Sequence, residues 1–165
     1  MARYRFLTTW LLEAPRQDCW DVLQDVLSWP EWWRGVQSVD QIDSGDEGRL
    51  GSCHRVRWRS RIPYPVEIEF VVDEVREPAL MAGRASGALE GSGTWRLLED
   101  DGVTAVLFEW DVRTARAWMN ALAPVTRPLF AYNHHWVMRQ GGEGLARRLG
   151  VRIAGWDAST TSTSR

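Results

Sequence analysis

Residues 3–13 alternate in polarity: Tyr4, Phe6, Thr8, Trp10 and Leu12 share one face, and Arg3, Arg5, Leu7, Thr9 and Leu11 the other. Period two predicts a long first strand. Pro15 suits the first turn of a helix, and Trp20, Leu23 and Leu27, flanked by Cys19 and Val26, recur at helical spacing. Ser28-Trp29-Pro30-Glu31 then fits a capping box opening a second short helix that carries Trp32 and Trp33. Residues 52–61 alternate again, with His54, Val56 and Trp58 opposite Cys53, Arg55, Arg57, Arg59 and Arg61. Residues 66–75 put Val66, Ile68, Phe70 and Val72 opposite Glu67 and Glu69. A hairpin around Pro63 would set Arg57 against Glu69 and Arg59 against Glu67 on a wet face, at about 0.2–1 kcal/mol each. A one-residue slip would destroy both patterns.

Residues 80–86 read as a short strand of undecided phase. In residues 92–99, Gly93, Trp95 and Leu97 face away from Thr94 and Arg96. Asp101-Gly102 is a hairpin signal, and the returning strand turns Val106, Phe108, Trp110 and Val112 inward with Glu109 and Asp111 outward. This is a meander with one dry and one wet face. Residues 115–123 read as a connector. Pro124 and Pro128 place the start of a regular helix near Pro128, with a stripe of Leu129, Asn133, Trp136, Val137, Gln140, Gly141, Gly144, Leu145 and Leu149 and a C-cap at Gly150. The Ser/Thr-rich end reads as an unstructured tail, so the expected organisation is one domain over 1–152 and a tail over 153–165.

At 165 residues, 44% of them hydrophobic and 25% charged, the chain is long enough to bury a core without disulfide or metal. Its net charge of −2 gives no prior for nucleic acid or an anionic membrane. No apolar run reaches the roughly 18 residues of a membrane span. The opening Met1-Ala2-Arg3-Tyr4-Arg5 does not read as a secretory signal, and a cytoplasmic location is the default. Cys19 and Cys53 form neither a disulfide framework nor a zinc motif. All 20 basic side chains are arginine, which excludes Schiff-base lysine chemistry and a P-loop lysine. His134 and His135 are adjacent and point about 100° apart on a helix, so they do not chelate one metal. No metal and no cofactor is expected. Eleven tryptophans are far above ordinary usage, and their placement is the most informative feature of the chain.

The order of elements predicts an α+β architecture that resembles the helix-grip fold: a curved antiparallel sheet of about seven strands wrapped around a long C-terminal helix, with two short helices after strand one. The residues 14–23 (APRQDCWDVL), then Trp29-Pro30-Glu31-Trp32-Trp33, the run Leu89-Glu90-Gly91-Ser92-Gly93-Thr94-Trp95, and Tyr132-Asn133-His134-His135 ahead of the helix glycines resemble the START/polyketide-cyclase (SRPBCC) superfamily. That resemblance covers roughly the chain up to Leu149. It implies a cavity between sheet and helix and a range of uses, from aromatases and cyclases of aromatic polyketides to carriers of lipids and quinones.

The inferred dry faces send Trp10, Val56, Trp58, Phe70, Trp95, Phe108 and Trp110 toward one space, and the helix adds Asn133 and Trp136. Such a lining suits a flat or lipidic molecule. Aromatics that simply fill the grip are the alternative, since an empty cavity of about 300 Å³ would cost about 7 kcal/mol. His54 stands among the inward residues, either as general base or anchor, or as a histidine bonded to backbone at the sheet end. Asn133 either donates to a ligand or ties the helix to a loop. Arg84 points inward, where it would bind enolate or carboxylate, only if Leu80 rather than Met81 sets the phase of its strand. Gly141, Gly142 and Gly144 weaken a helix by up to about 1 kcal/mol each, which calls for close packing or for room left to a ligand. The expected function is binding of a hydrophobic, aromatic or lipid-like small molecule, without nucleic acid or stable membrane insertion and with the oligomeric state open. The alternatives are an aromatase/cyclase using His54 and Arg84, and an interaction module using exposed Trp32 and Trp33.

Overall fold

The computed structural model describes residues 3–59, 66–114 and 123–163, with side chains of the last helix from Pro128 and of the last strand to Thr161. The turn expected around Pro63 and most of the connector after residue 114 lie outside the described residues. Strand β1 (Arg3–Leu12) leads into helices α1 (Arg16–Gln24) and α2 (Trp29–Trp32). Strands β2 (Val36–Asp43), β3 (Cys53–Trp58), β4 (Val66–Arg76), β5 (Leu80–Gly87), β6 (Leu89–Asp100) and β7 (Val103–Thr114) follow, then helix α3 (Ala123–Leu149) and strand β8 (Ile153–Thr163). The strands form one antiparallel sheet in the order β2-β3-β4-β5-β6-β7-β1-β8. This is the helix-grip arrangement.

The alternation read from β1 holds: Tyr4, Phe6, Thr8, Trp10 and Leu12 are all buried. Asp101 and Gly102, at φ 47° and 75°, make the tight β6–β7 turn expected of that dipeptide. Gly150 at φ 68° ends α3 as expected, with the Val151 N–H donating to the Ala146 carbonyl at 3.0 Å.

Four local expectations are corrected. The β3–β4 register is displaced by two residues, pairing Arg55 with Glu69 and Arg57 with Glu67, and their ion pairs close to 2.6 and 2.7 Å. A shift of two keeps every side chain on its face, and four arginines at alternate positions offer two equally matched registers for two glutamates. The register is fixed beyond the hairpin, where the Val72 N–H donates to the Ser52 carbonyl and the Gly51 N–H to the Val72 carbonyl. The capping box at Ser28 does not form: its hydroxyl donates to the Asp25 carbonyl at 2.8 Å and accepts from Trp32 Nε1 at 3.3 Å, while Glu31 pairs with Arg148 at 3.3 Å. Helix α3 starts at Ala123 and carries Pro128 inside it; so near the N-terminus, proline removes one ladder bond without ending the helix.

The fourth correction concerns the end of the chain. Ile153–Thr163 is not an unstructured tail but strand β8, hydrogen-bonded along β1 from Leu12↔Ile153 to Arg3↔Thr163. Low hydrophobicity misleads here because an edge strand needs little apolar surface, and threonine favours the extended backbone. His135 Nε2 meets Thr160 Oγ1 at 2.8 Å, the Arg139 guanidinium lies 5.9 Å from the centre of the Trp156 ring, and Arg152 pairs with Glu13. The first two contacts fasten α3 to the sheet edge, and the third ties the start of β8 to the end of β1.

Two buried clusters occupy the inside of the grip. The larger gathers Trp10, Leu12, Cys19, Trp20, Leu23, Trp29, Trp32, Trp33, Trp95 and Leu145 around the short helices. The smaller gathers Tyr4, Phe6, Val66, Ile68, Leu89, Trp110, Val112 and Phe130. Trp58, Phe70 and Phe108 are only partly buried and pack against both clusters.

Candidate functional site

Between those clusters lies a cavity of about 120 Å³. Its sheet wall carries Phe6 of β1, Val56 and Trp58 of β3, Ile68 and Phe70 of β4, Trp95 of β6, and Phe108 and Trp110 of β7. Helix α3 supplies Phe130, Asn133, His134, Val137 and Met138, and the α1–α2 region supplies Val26, Trp29 and Trp33. The wall is almost wholly apolar, a consequence of the period-two patterns that turn every arginine and carboxylate of these strands outward. The Trp95 and Phe108 rings stack at 4.3 Å, Phe108 and Trp110 at 5.5 Å, and Phe70 lies 6.5 Å from Trp110.

Two glycines position this aromatic surface. Gly83 and Gly93 face each other across β5 and β6, and Gly93 also faces Trp110. A Cβ on Gly93 would stand 2.8 Å from two atoms of the Trp110 ring and 3.1 Å from Phe70, and one on Gly83 would stand 2.2 Å from the Val71 carbonyl oxygen and 2.7 Å from Phe70. The rings therefore lie flat on bare backbone, which leaves space in front of them.

The tryptophans of the short helices close the other end. Trp29 Nε1 donates to the Leu23 carbonyl at 3.0 Å and Trp33 Nε1 to the Val137 carbonyl at 2.8 Å. Gly141, Gly142 and Gly144 are explained by this packing: an added Cβ would stand 2.5 Å from the Trp33 ring, 2.9 Å from the Trp10 ring and 2.1 Å from the Trp32 carbonyl oxygen. Trp32 and Trp33 are 6% and 0% exposed, which overturns the interaction-module expectation built on them.

Of the residues expected at the site, Val56, Trp58, Phe70, Trp95, Phe108, Trp110 and Asn133 stand on the cavity wall, as does His54. Trp10 does not: it is fully buried under Gly141 and Gly142, 5.7 Å from Trp33 and 5.5 Å from Trp95. Trp136 does not line the cavity either, because α3 presents Phe130, Asn133, Val137, Met138 and Gly141 inward, a face rotated away from Leu129 and Trp136. Arg84 points away from the cavity: Met81 sets the phase, the Arg84 side chain is 76% exposed, and it pairs with Asp73 at 3.3 Å. The reason lies in β5 itself, where Gly83 faces inward under the close approach of the Val71 carbonyl and the Phe70 ring. Glu109 and Asp111 are on the wet face as expected, bound to Arg96 and to Arg3 and Arg5.

Besides Tyr4, three polar side chains interrupt the apolar wall. The half-buried His54 imidazole is shifted below its ordinary pKa by burial and, secondarily, by Arg49, and it makes no hydrogen bond among the described residues. The Asn133 amide is buried. His134 stacks on Phe6 with ring centres 4.0 Å apart, and burial, aided by His135, pushes its pKa down to about 3. Its Nε2 is shielded from water and has no hydrogen-bond partner among the described residues. Sequence reasoning missed Trp29, Trp33, Phe130 and His134 as wall residues. For His134 the signal was available in its position four residues before Met138 and three before Val137. Among the described residues, no three of His, Cys, Asp and Glu converge as a metal site would require, and no helix is long and apolar enough to cross a membrane.

No curated protein sequence matches the chain. Among solved structures it is similar to a protein of Thermus thermophilus at TM-score 0.71 and 14% identity, covering 87% of this chain and 98% of that one. It is similar to the Zhui aromatase/cyclase of Streptomyces sp. R1128 at TM-score 0.64 and 19% identity, covering 92% and 98%. It is also similar to a START superfamily protein of Mycobacterium smegmatis at TM-score 0.60 and 12% identity, covering 83% and 98%. At these identities the likeness is one of fold. The family model described as polyketide cyclase / dehydrase and lipid transport matches residues 5–150, so the chain belongs to that family.

Proposed function

We propose that the protein binds a hydrophobic, aromatic small molecule in the space between its sheet and helix α3. The observation that carries this reading is an apolar cavity of about 120 Å³ edged by Phe6, Phe70, Phe108 and Trp110, kept open by glycines that let the rings lie flat. At the coefficient of about 24 cal/mol per Å³ for closed cavities the empty space costs at most about 3 kcal/mol, which an apolar occupant would recover. Apolar cavities of about 150 Å³ accept benzene, so the volume suits one aromatic ring, with any larger part of the ligand extending to the mouth. Membership of a family named for cyclases and lipid transport agrees with a ligand of this character.

The cyclase-like reading has less support. Arg84, one of its two expected residues, lies on the opposite face of the sheet. His54 remains on the wall, its pKa lowered by burial, with no partner among the described residues to orient it as a general base. Native mass spectrometry of the chain purified from its own host tests the binding reading. A co-purifying small molecule released on denaturation is expected. An apo mass alone, together with no heat of binding for toluene or naphthalene, would reject it.

A further inference from the structure

We infer that His134 is the polar recognition point of the cavity and selects ligands that carry a hydroxyl on the aromatic ring; this rests on the binding reading above. A ligand enclosed by a nearly apolar wall is oriented by the few polar atoms it meets. Nε2 of His134 is buried and unpartnered among the described residues. Thr8 Oγ1, Trp10 Nε1 and Trp20 Nε1 share that condition but belong to residues off the cavity wall, whereas His134 lines it; Tyr4 also lines it and is engaged by a further contact. A buried polar atom left unmatched is destabilising, and such atoms in folded proteins generally have a protein, water or ligand partner.

The ring stays neutral under the burial that holds it well below its ordinary pKa. A neutral imidazole presents one N–H and one lone pair, and which of them sits at Nε2 depends on the tautomer. A hydroxyl both donates and accepts, so it satisfies Nε2 in either tautomer, whereas a carbonyl or ether oxygen satisfies only one. The stack on Phe6 fixes the plane of the imidazole, and the two orientations about χ2 are broad and nearly equivalent, so an entering group can meet the nitrogen without disturbing that stack. Among the described residues no arginine lines the wall to neutralise a carboxylate, and an unpaired buried charge is strongly disfavoured. The chemistry that fits is a neutral phenol.

The test compares p-cresol with toluene, probes that differ by one hydroxyl, by calorimetric titration of the wild-type protein and of His134→Phe. The ratio of p-cresol to toluene affinity is expected to fall at least about tenfold in the variant, with toluene the reference for any general change in the wall. An unchanged ratio with both probes still bound would overturn the role of His134 and leave the binding reading standing. Failure of both probes to bind the wild-type protein would remove the binding reading itself, and this inference with it. Should the variant not fold, imidazole ¹⁵N spectra of the wild-type protein decide. The His134 Nε2 resonance is expected to move with p-cresol and not with toluene, and an equal response to both, or to neither, refutes hydroxyl recognition.

Discussion

Replacing Gly93 with alanine adds one methyl group where the structure has no room for it. The new Cβ would stand 2.8 Å from Cε3 and Cζ3 of Trp110, against an ordinary contact of 3.4–4 Å, so the indole must retreat by about 0.6 Å. Strand β6 lies behind the ring, and the ring can yield only into the cavity. A buried tryptophan covers roughly 150–250 Å², of which one face is about 60 Å². A retreat of this size therefore sweeps about 40 Å³, a third of the 120 Å³ available. Overpacking of this kind costs about 1–3 kcal/mol, partly offset by the roughly 0.5–1 kcal/mol that alanine gains over glycine in a strand. The net loss of about 1–2 kcal/mol lowers Tm by roughly 2–8 °C for a chain of this length. Ligand affinity falls further than stability suggests, by about tenfold or 1.4 kcal/mol for a ring that fills the cavity. Scanning calorimetry and toluene titration read the two effects. Gly48→Ala is the control, because its added Cβ meets nothing closer than the Asp46 carboxylate at 3.4 Å. If Gly93→Ala melts above the wild type and binds toluene unchanged, the rings do not rest on a glycine seat.

Three further outcomes are expected. Gly144→Ala raises helix propensity yet drives a Cβ to 2.1 Å from the Trp32 carbonyl oxygen, so it is destabilising by about 2 kcal/mol; a higher Tm than wild type would show that α2 and α3 are not in close contact. His134 is held at a pKa of about 3 in the folded chain, against an ordinary 6.5. The unfolded chain therefore takes up a proton below pH 6.5 that the native chain refuses, and the stability present above 6.5 is lost as pH falls toward 3. From pH 7.5 to 5.5 this amounts to about 1 kcal/mol, with His54 and His135, both also lowered by burial, acting in the same direction. Urea unfolding across that range measures it; a flat profile, or one rising toward acid, would contradict a buried neutral imidazole. Thr160→Val removes the hydroxyl that meets His135 and lowers stability by about 1 kcal/mol in the same assay, whereas no change would mean that β8 does not hold the helix.

The dry faces were readable because strands β1, β3, β4, β6 and β7 alternate bulky apolar residues with arginine and glutamate, a contrast that survives any even shift of register. The even shift itself was not readable, since Arg55, Arg57, Arg59 and Arg61 repeat the same charge at the same spacing. In β5, Ala82, Gly83 and Ala85 are too small to declare a face, and the phase follows from the ring of Phe70, which needs bare backbone beneath it. Helix α3 offers two overlapping apolar stripes, one through Leu129 and Trp136 and one through Phe130, Val137 and Met138. Only the docking of Trp10 and Trp33 onto Gly141 and Gly142 selects the second. That same docking takes Trp10 out of the cavity wall and brings in Trp33, a long-range outcome with no local signature. Strand β8 escaped notice because its partner surface belongs to β1, at the opposite end of the chain.

Pressurising crystals of the unliganded protein with xenon examines the void itself. Xenon, apolar and of about the right size for such a space, should give electron density among Phe6, Phe70, Phe108 and Trp110 without displacing their rings. Absence of xenon there, with those side chains meeting one another across the gap, would leave no room for an aromatic guest.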